Sequence, residues 1–332
     1  MHAKWLVAAF LIVAALAVMS GCRSSDSPGE PAEGDSPAKA SGDVNKAGEE
    51  AVRRGVEFLK SNQGPDGSFR GDVGITAICL KALVVSGKVP ADDPAVKKAT
   101  AFVLRYQKPD GGIYDKMLMN YCTAVSVMAL KVVDGGKYAD VIEKATNYLI
   151  KHQWDEGESI DPKNDWHGGA GYGKHERPDM SNLQYMLQAL HEAGVPKDDP
   201  VWKRAIIFVS RAQNRSESNQ GFFIGTNDGG FIYTPVGDGE SKAGEVTLPS
   251  GKKGLKSYGS MTYAGFKSFI YANLKRDDPR VLAALDWIKK NWTVEENPGV
   301  GKQGLYYYYH TMAKALAAWG EPTITDDRGF EH

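Results

Sequence analysis

Cysteine is nearly absent from this chain: Cys22, Cys79 and Cys122 are the only three in 332 residues. No disulfide framework can therefore hold a domain together. Net charge is nearly absent too, with 40 Lys and Arg against 41 Asp and Glu. That balance excludes the basic surface a nucleic-acid partner needs and gives no electrostatic pull toward an anionic membrane face. Long apolar runs are missing. The longest, Trp5 to Met19, is about fifteen residues, which is too short for a membrane span and fits the hydrophobic stretch of a secretory leader. Nucleotide, zinc-protease and serine-hydrolase motifs are missing as well: there is no Walker loop, no HExxH and no Gly-x-Ser-x-Gly. The glycines of Gly168 to Gly173 have no strand before them, so they do not make a dinucleotide fingerprint.

What stands at the N-terminus points to export. The apolar run ends in VMSGC, which resembles a bacterial lipobox with Met19 where Leu is usual, and Cys22 is then the residue lipidated after cleavage. The stretch from Arg23 to about Gly42 is rich in Ser, Pro, Gly, Ala, Asp and Glu and has no aromatic residue, which is the composition of a flexible tether. The expected organisation is a leader over residues 1–21, a lipidated Cys and tether over 22–43, a folded domain over 44–320 and a tail over 321–332. Cys79 and Cys122 fall in apolar helices and read as free buried thiols.

The folded part is built on a repeat. An amphipathic helix ends in Gln or Asn, a Gly-rich loop follows, and a second, less charged helix comes next. The loop-opening residues are Gln63, Gln107, Gln153, Gln213 and Asn291, and the opening turns of the second helices hold Thr76, Thr123, Leu183, Thr262 and Thr311. Both registers contain one step of 60 residues and one of 78 or 79, which place the insertions in the third repeat, Ser159 to Pro178, and in the fourth, Gly229 to Gly254. Such a period means stacked helical hairpins, none of which can bury its apolar face alone. Asp93-Pro94, Asp199-Pro200 and Asp278-Pro279 each place an N-cap Asp before Pro at the first helical position, so capping accounts for these acidic triplets without a metal. Alternating amphipathic and mostly apolar helices predict an outer ring around an inner ring. The expected fold is an all-α α/α toroid of about five hairpins, with a small irregular or β-hairpin insertion in the fourth repeat over residues 229–254.

Arg53 to Phe69 resembles the QW-type repeat of squalene–hopene and oxidosqualene cyclases, and Gly304 to Leu316 is similar to the zinc-histidine segment of protein prenyltransferase β-subunits. Together with RPDMSNLQ and SYGSMTYAG, these segments resemble the prenyltransferase and squalene-oxidase repeat proteins. The resemblance implies an α/α toroid acting on apolar isoprenoids, but both family chemistries are interrupted. His310 matches the zinc-ligand His, while the positions of the other two ligands hold Ser260 and Thr262. The cyclase acid motif DxDD is represented by Asp179-Met180-Ser181-Asn182, with Ser181 where the proton donor belongs. No metal and no cofactor is expected.

Residues that differ between repeats are not needed for stacking, so they are the better site candidates. Asp179 is the candidate acid, His310 a base or orienting group, and Tyr309 a catalytic neighbour. Asn182, Ser260, Tyr258, Tyr172 and Trp166 are candidates for substrate contact. Four consecutive tyrosines, Tyr306 to Tyr309, point all round a helix, so at most two can face one cavity. The repeated threonines read as hydroxyls bonded within the first turn. His167 and His175, near Asp165 and Glu176, read as a solvated loop rather than a metal site. The functional expectation is an exported, envelope-located, lipid-anchored protein that acts on or binds an apolar small molecule or lipid. The alternative is a non-catalytic binding or scaffold lipoprotein taking a lipid, glycan or peptide at the toroid mouth. A third reading, sugar chemistry, would pair Asp165 with Asp179.

Overall fold

The computed structural model describes residues 37–173 and 175–332. The leader, Cys22 and the first part of the expected tether lie outside the described residues. The helices are α1 (Pro37–Ser61), α2 (Val73–Val85), α3 (Pro94–Leu104), α4 (Met119–Asp134), α5 (Ala139–Ile150), α6 (Met180–Ala193), α7 (Pro200–Arg211), α8 (Gly259–Tyr271), α9 (Pro279–Lys290) and α10 (Leu305–Trp319). α1 opens upstream of the expected boundary at Val44. The predicted insertion hairpin is present as β1 (Glu245–Thr247) and β2 (Lys253–Leu255), antiparallel, with Val246 opposite Gly254. Among the described residues no helix is long and apolar enough to cross a membrane.

Among the described residues five hairpins form, α1–α2 through α9–α10, and the architecture is the α/α toroid. The even-numbered helices pack in the order α2, α4, α6, α8, α10 and make the inner wall. Their apolar sequences require this, because α4, α6 and α8 are buried on almost every side. Asp93, Asp199 and Asp278 each accept a hydrogen bond from the backbone N–H two residues on, with Pro at the first helical position, as expected for capping. The segment after Gly320 folds back on α9: the His332 ring stacks on Trp292, and Asp326 accepts from Arg328, Phe330 and His332.

The repeated Gln is what joins one hairpin to the next. Gln63 Nε2 donates to Gly67 O and to Ala95 O on α3, Gln153 Nε2 to Gly168 O and Val201 O on α7, and Gln213 Nε2 to Gly229 O and Arg280 O on α9. Each amide thus satisfies a carbonyl of its own loop and one at the start of the next outer helix. Asn291, at the corresponding place in the fifth repeat, donates instead to Trp287 O of its own helix. The loop glycine follows the same logic. Gly168 has φ +81°, and a Cβ there would lie 1.9 Å from Arg204 O on the next outer helix. Replacing Gln213 by Ala removes the donor that ties Gly229 O in the loop to Arg280 O on the next outer helix. We expect a loss of about 2–4 kcal/mol in urea-unfolding free energy, with little loss if the amide ties are unimportant.

The repeated threonines are structural, as read. Thr76, Thr123 and Thr262 each donate to the carbonyl four residues back and accept the N–H of a loop residue: Phe69, Ile113 and Phe231. In these three repeats the column fastens the Gly-rich loop to its inner helix, while Thr311 bonds only to the carbonyls of Tyr307 and Tyr308.

Candidate functional site

The N-terminal ends of the inner helices form one mouth of the ring, and Asp179 sits there as the N-cap of α6. It is 2% exposed. Its Oδ1 accepts from the Asn182 N–H at 2.9 Å and its Oδ2 from Asn182 Nδ2 at 2.8 Å. Burial pushes the carboxyl up to about 6, against the hydrogen bonds from Asn182 and the Tyr233 hydroxyl, which favour the ionised form. Tyr172, Tyr233, Tyr258 and Tyr307 surround it closely enough that the Asp179 charge raises all four phenols, after burial itself. The insertions supply two of these tyrosines. Met180 N–H binds Tyr233 O at 2.9 Å and Asn120 N–H binds Tyr172 O at 3.1 Å, so both loops are pinned to inner-helix ends.

Asp179, Asn182, Tyr172 and Tyr258 are thus brought together, and the structure adds Tyr233 and Tyr307. The other candidates are placed elsewhere. Tyr307, not Tyr309, is the tyrosine of α10 that faces inward: its hydroxyl meets Ser181 Oγ at 3.1 Å and accepts from Gln184 Nε2 at 3.2 Å. Tyr309 turns away and donates to Val294 O. The rotation of α10 about its axis is set by Tyr308, which is buried against Tyr263, and that packing cannot be read from four identical residues. Ser260 is engaged with Asn297, whose Nδ2 donates to Ser260 Oγ while its Oδ1 takes the Ser260 N–H. Trp166 packs edge-on against Trp154 at 4.9 Å in the third-repeat loop. Asp165 Oδ2 accepts from the Gly237 N–H. His167 pairs with Glu156, and among the described residues no group of three or more His, Cys, Asp or Glu is placed to hold a metal.

Deeper along the axis the interior is polar, and sequence reasoning missed most of it. Lys267 of α8 is 0% exposed and donates to Gln184 Oε1 and, at 2.8 Å, to Gln188 Oε1 of α6. Gln188 Nε2 donates to Glu192, and Glu192 pairs with Lys81 of α2 at 2.6 Å. His310 of α10 stacks on Tyr185 across the ring, with centroids 6.0 Å apart, and lies next to Lys314 on the same face. The residue keeps contact with solvent, yet desolvation by the surrounding ring of helices, then Lys267, Lys314 and Lys81, hold its imidazole below the usual range. His310 is therefore not a partner of Asp179; it belongs to a basic cluster further down. The available signal was a stripe of Gln184, Gln188 and Glu192 at helical spacing on an otherwise apolar helix.

Residues 70–220 match the squalene-hopene cyclase C-terminal domain family. The structure is similar to ent-copalyl diphosphate synthase from Streptomyces platensis, with TM-score 0.53 at 14% identity, covering 82% of this chain and 47% of that one. Its fold is that of the terpene cyclases. The type II terpene cyclase MstE from Scytonema is also similar. A complex with geranylgeranyl dihydroxybenzoate gives TM-score 0.44 at 17% identity over 71% of this chain and 60% of that one. A complex with merosterolic acid A gives 0.45 at 15% over 81% of each. This chain spans about half the length of the synthase it matches.

Proposed function

We propose that this chain is a terpenoid cyclase-like protein of the cell envelope that takes an apolar, isoprenoid-type molecule at the toroid mouth, with Asp179 as the proton donor. The observation that carries the reading is a buried carboxyl, raised to about 6, under a roof of Tyr172, Tyr233, Tyr258 and Tyr307. A carboxyl that holds its proton near neutral pH can deliver it to an alkene, and tyrosine faces are suited to cationic carbon. The basic cluster begins with Lys267, tied to Gln184 five residues and about 8 Å of helix rise beyond Asp179. None of the lysines is among the groups that shift Asp179.

A second reading, a non-catalytic binding or scaffold lipoprotein, is supported by one feature: both Asp179 oxygens are held by Asn182, and Ser181 stands where the cyclase donor belongs. Incubating the purified chain with geranylgeraniol separates the two. Cyclised product that disappears in Asp179→Asn supports the enzyme. Saturable binding with no product supports the binder, and neither outcome ends both readings.

We also propose export and lipid anchoring at Cys22, which rests on the VMSGC segment. The full chain expressed in a bacterium should partition into the detergent phase, and Cys22→Ser should move it to the aqueous phase. Equal partitioning of the two would rule the anchor out.

A further inference from the structure

The two insertions that roof Asp179 are fastened to each other at one carboxylate. Glu240 accepts from Arg177 Nη2 of the third-repeat loop on one oxygen and from Lys242 Nζ on the other, each at 2.6 Å. Lys242 in turn lies over the Tyr233 ring, 4.7 Å from its centroid. The backbone of Glu240 holds the same stretch of chain: its C=O accepts from the Tyr233 N–H, and its N–H donates to Thr234 O, both at 2.9 Å. Two further ties join loop to loop, Thr234 Oγ1 to Pro178 O at 2.8 Å and the Gly237 N–H to Asp165 Oδ2 at 2.9 Å. Tyr172 stands in the third-repeat loop and Tyr233 in the fourth, so the two halves of the roof meet here. Burial works to raise the Glu240 carboxyl, but Lys242 and Arg177 outweigh it and hold the group below its usual range. Glu240 therefore stays charged where Asp179 keeps its proton.

We propose that Glu240 is a positioning residue for Asp179: its carboxylate clasps the third- and fourth-repeat loops, so that Tyr172 and Tyr233 stay closed over the acid and keep water from it. This rests on the reading of Asp179 as the proton donor and adds the element that keeps it dry. A single exposed ion pair is worth little. Here one half-buried carboxylate binds a cation with each oxygen, the two cations come from different loops, and backbone bonds fix where it stands. The groups facing Asp179 are Asn182 and the Ser181 N–H on α6, Tyr172, Tyr233 and Tyr258 from the loops, and Tyr307 on α10. Besides Asp179, the charged groups that reach those tyrosines are Glu176, on Tyr172, and Glu240, on Tyr258.

The test is a carboxyl carbon-13 NMR titration of the full chain, with the Asp179 signal assigned by its loss in Asp179→Asn. Arg177→Gln is the deciding variant, because the two effects of losing this cation differ in sign. Its absence alone would raise the Asp179 midpoint, whereas a roof that opens to water lowers it toward 3.8. Burial is the largest influence on Asp179, so its relief outweighs a weakened bond from Tyr233. Arg177→Gln and Glu240→Gln should both lower the midpoint by about half a unit or more. Amide exchange should follow. The Met180 N–H, bound to Tyr233 O, and the Asn120 N–H, bound to Tyr172 O, should exchange about three-fold faster or more in both variants. Arg177 is exposed, so its variant keeps the fold, and an unaltered melting curve checks that. An Arg177→Gln midpoint that rises or stays in place, or unchanged exchange at Met180 and Asn120, overturns the clasp. No substrate enters the experiment, so that outcome leaves Asp179 standing as the acid. Failure of the acid itself is read separately, from product formation in Asp179→Asn.

Discussion

Asp179→Asn is expected to lower product formation by about 100-fold or more, the ordinary worth of a positioned general acid, while the chain stays folded. Asn keeps an acceptor for the Asn182 N–H, so the α6 cap survives. In the wild type the rate should climb as pH falls through about 6, because the protonated carboxyl is the reactive form. Stability should carry the same signature. Burial raises the folded carboxyl from 3.8 to about 6. A group raised in the folded state contributes stability that is fully present below its unfolded value and is lost as pH rises through the folded one. The window is therefore about pH 4 to 6, and the amount is about 3 kcal/mol. Urea unfolding of wild type and Asp179→Asn across that window isolates it, since paired carboxylates such as Asp326 and Asp278 shift the other way in both proteins. An unchanged product yield in the Asn variant would remove Asp179 from the chemistry. An unchanged pH slope would show that its carboxyl is not the buried acid described here.

Lys267→Met should remove a pH dependence of opposite sense. Burial lowers the Lys267 amine from 10.5 to about 7, with Lys314 and Lys81 adding to the effect and Glu192 opposing it. A cation depressed in the folded state costs nothing at high pH, and that stability is lost as pH falls from about 10.5 through about 7. Between pH 10 and pH 7 the wild type should therefore lose about 4 kcal/mol more than the variant. The slope is the quantity to read, because Met also strips the donor from Gln184 and Gln188 and so lowers absolute stability by about 1–3 kcal/mol for each. Parallel curves for the two proteins would mean that Lys267 is solvated, and the basic cluster would lose its buried member.

The parts of this protein legible in advance were those whose cause is local or repeated. Asp93, Asp199 and Asp278 cap helices through contacts two residues long, and the threonines bond four residues back, so short patterns sufficed. The Gln column was visible because four repeats present Gln and the fifth Asn291, although its partner on the next outer helix was not. The inward Asp179 with Asn182 was also legible, since it departs from its column. Tyr307 could not be told from Tyr309, because helix rotation is decided by how Tyr308 packs on Tyr263. Lys267 looked like one more charged residue; only the approach of α8 to α6 gives it Gln184 and Gln188 as neighbours.

By itself, then, the sequence determined the ring, its five hairpins, the insertion hairpin and which end of the inner helices forms the mouth. These follow from helical period, capping and glycine placement, all of which act within one repeat or between adjacent ones. The tertiary structure alone decided what the interior holds. Lys81 reaches Glu192 and Tyr307 reaches Ser181 between helices that are not neighbours in the ring. Which groups meet across an axis depends on the closure and rotation of all five inner helices at once, a collective property that no repeat encodes. That is why the acid at the mouth was legible from the chain and the basic cluster beneath it was not.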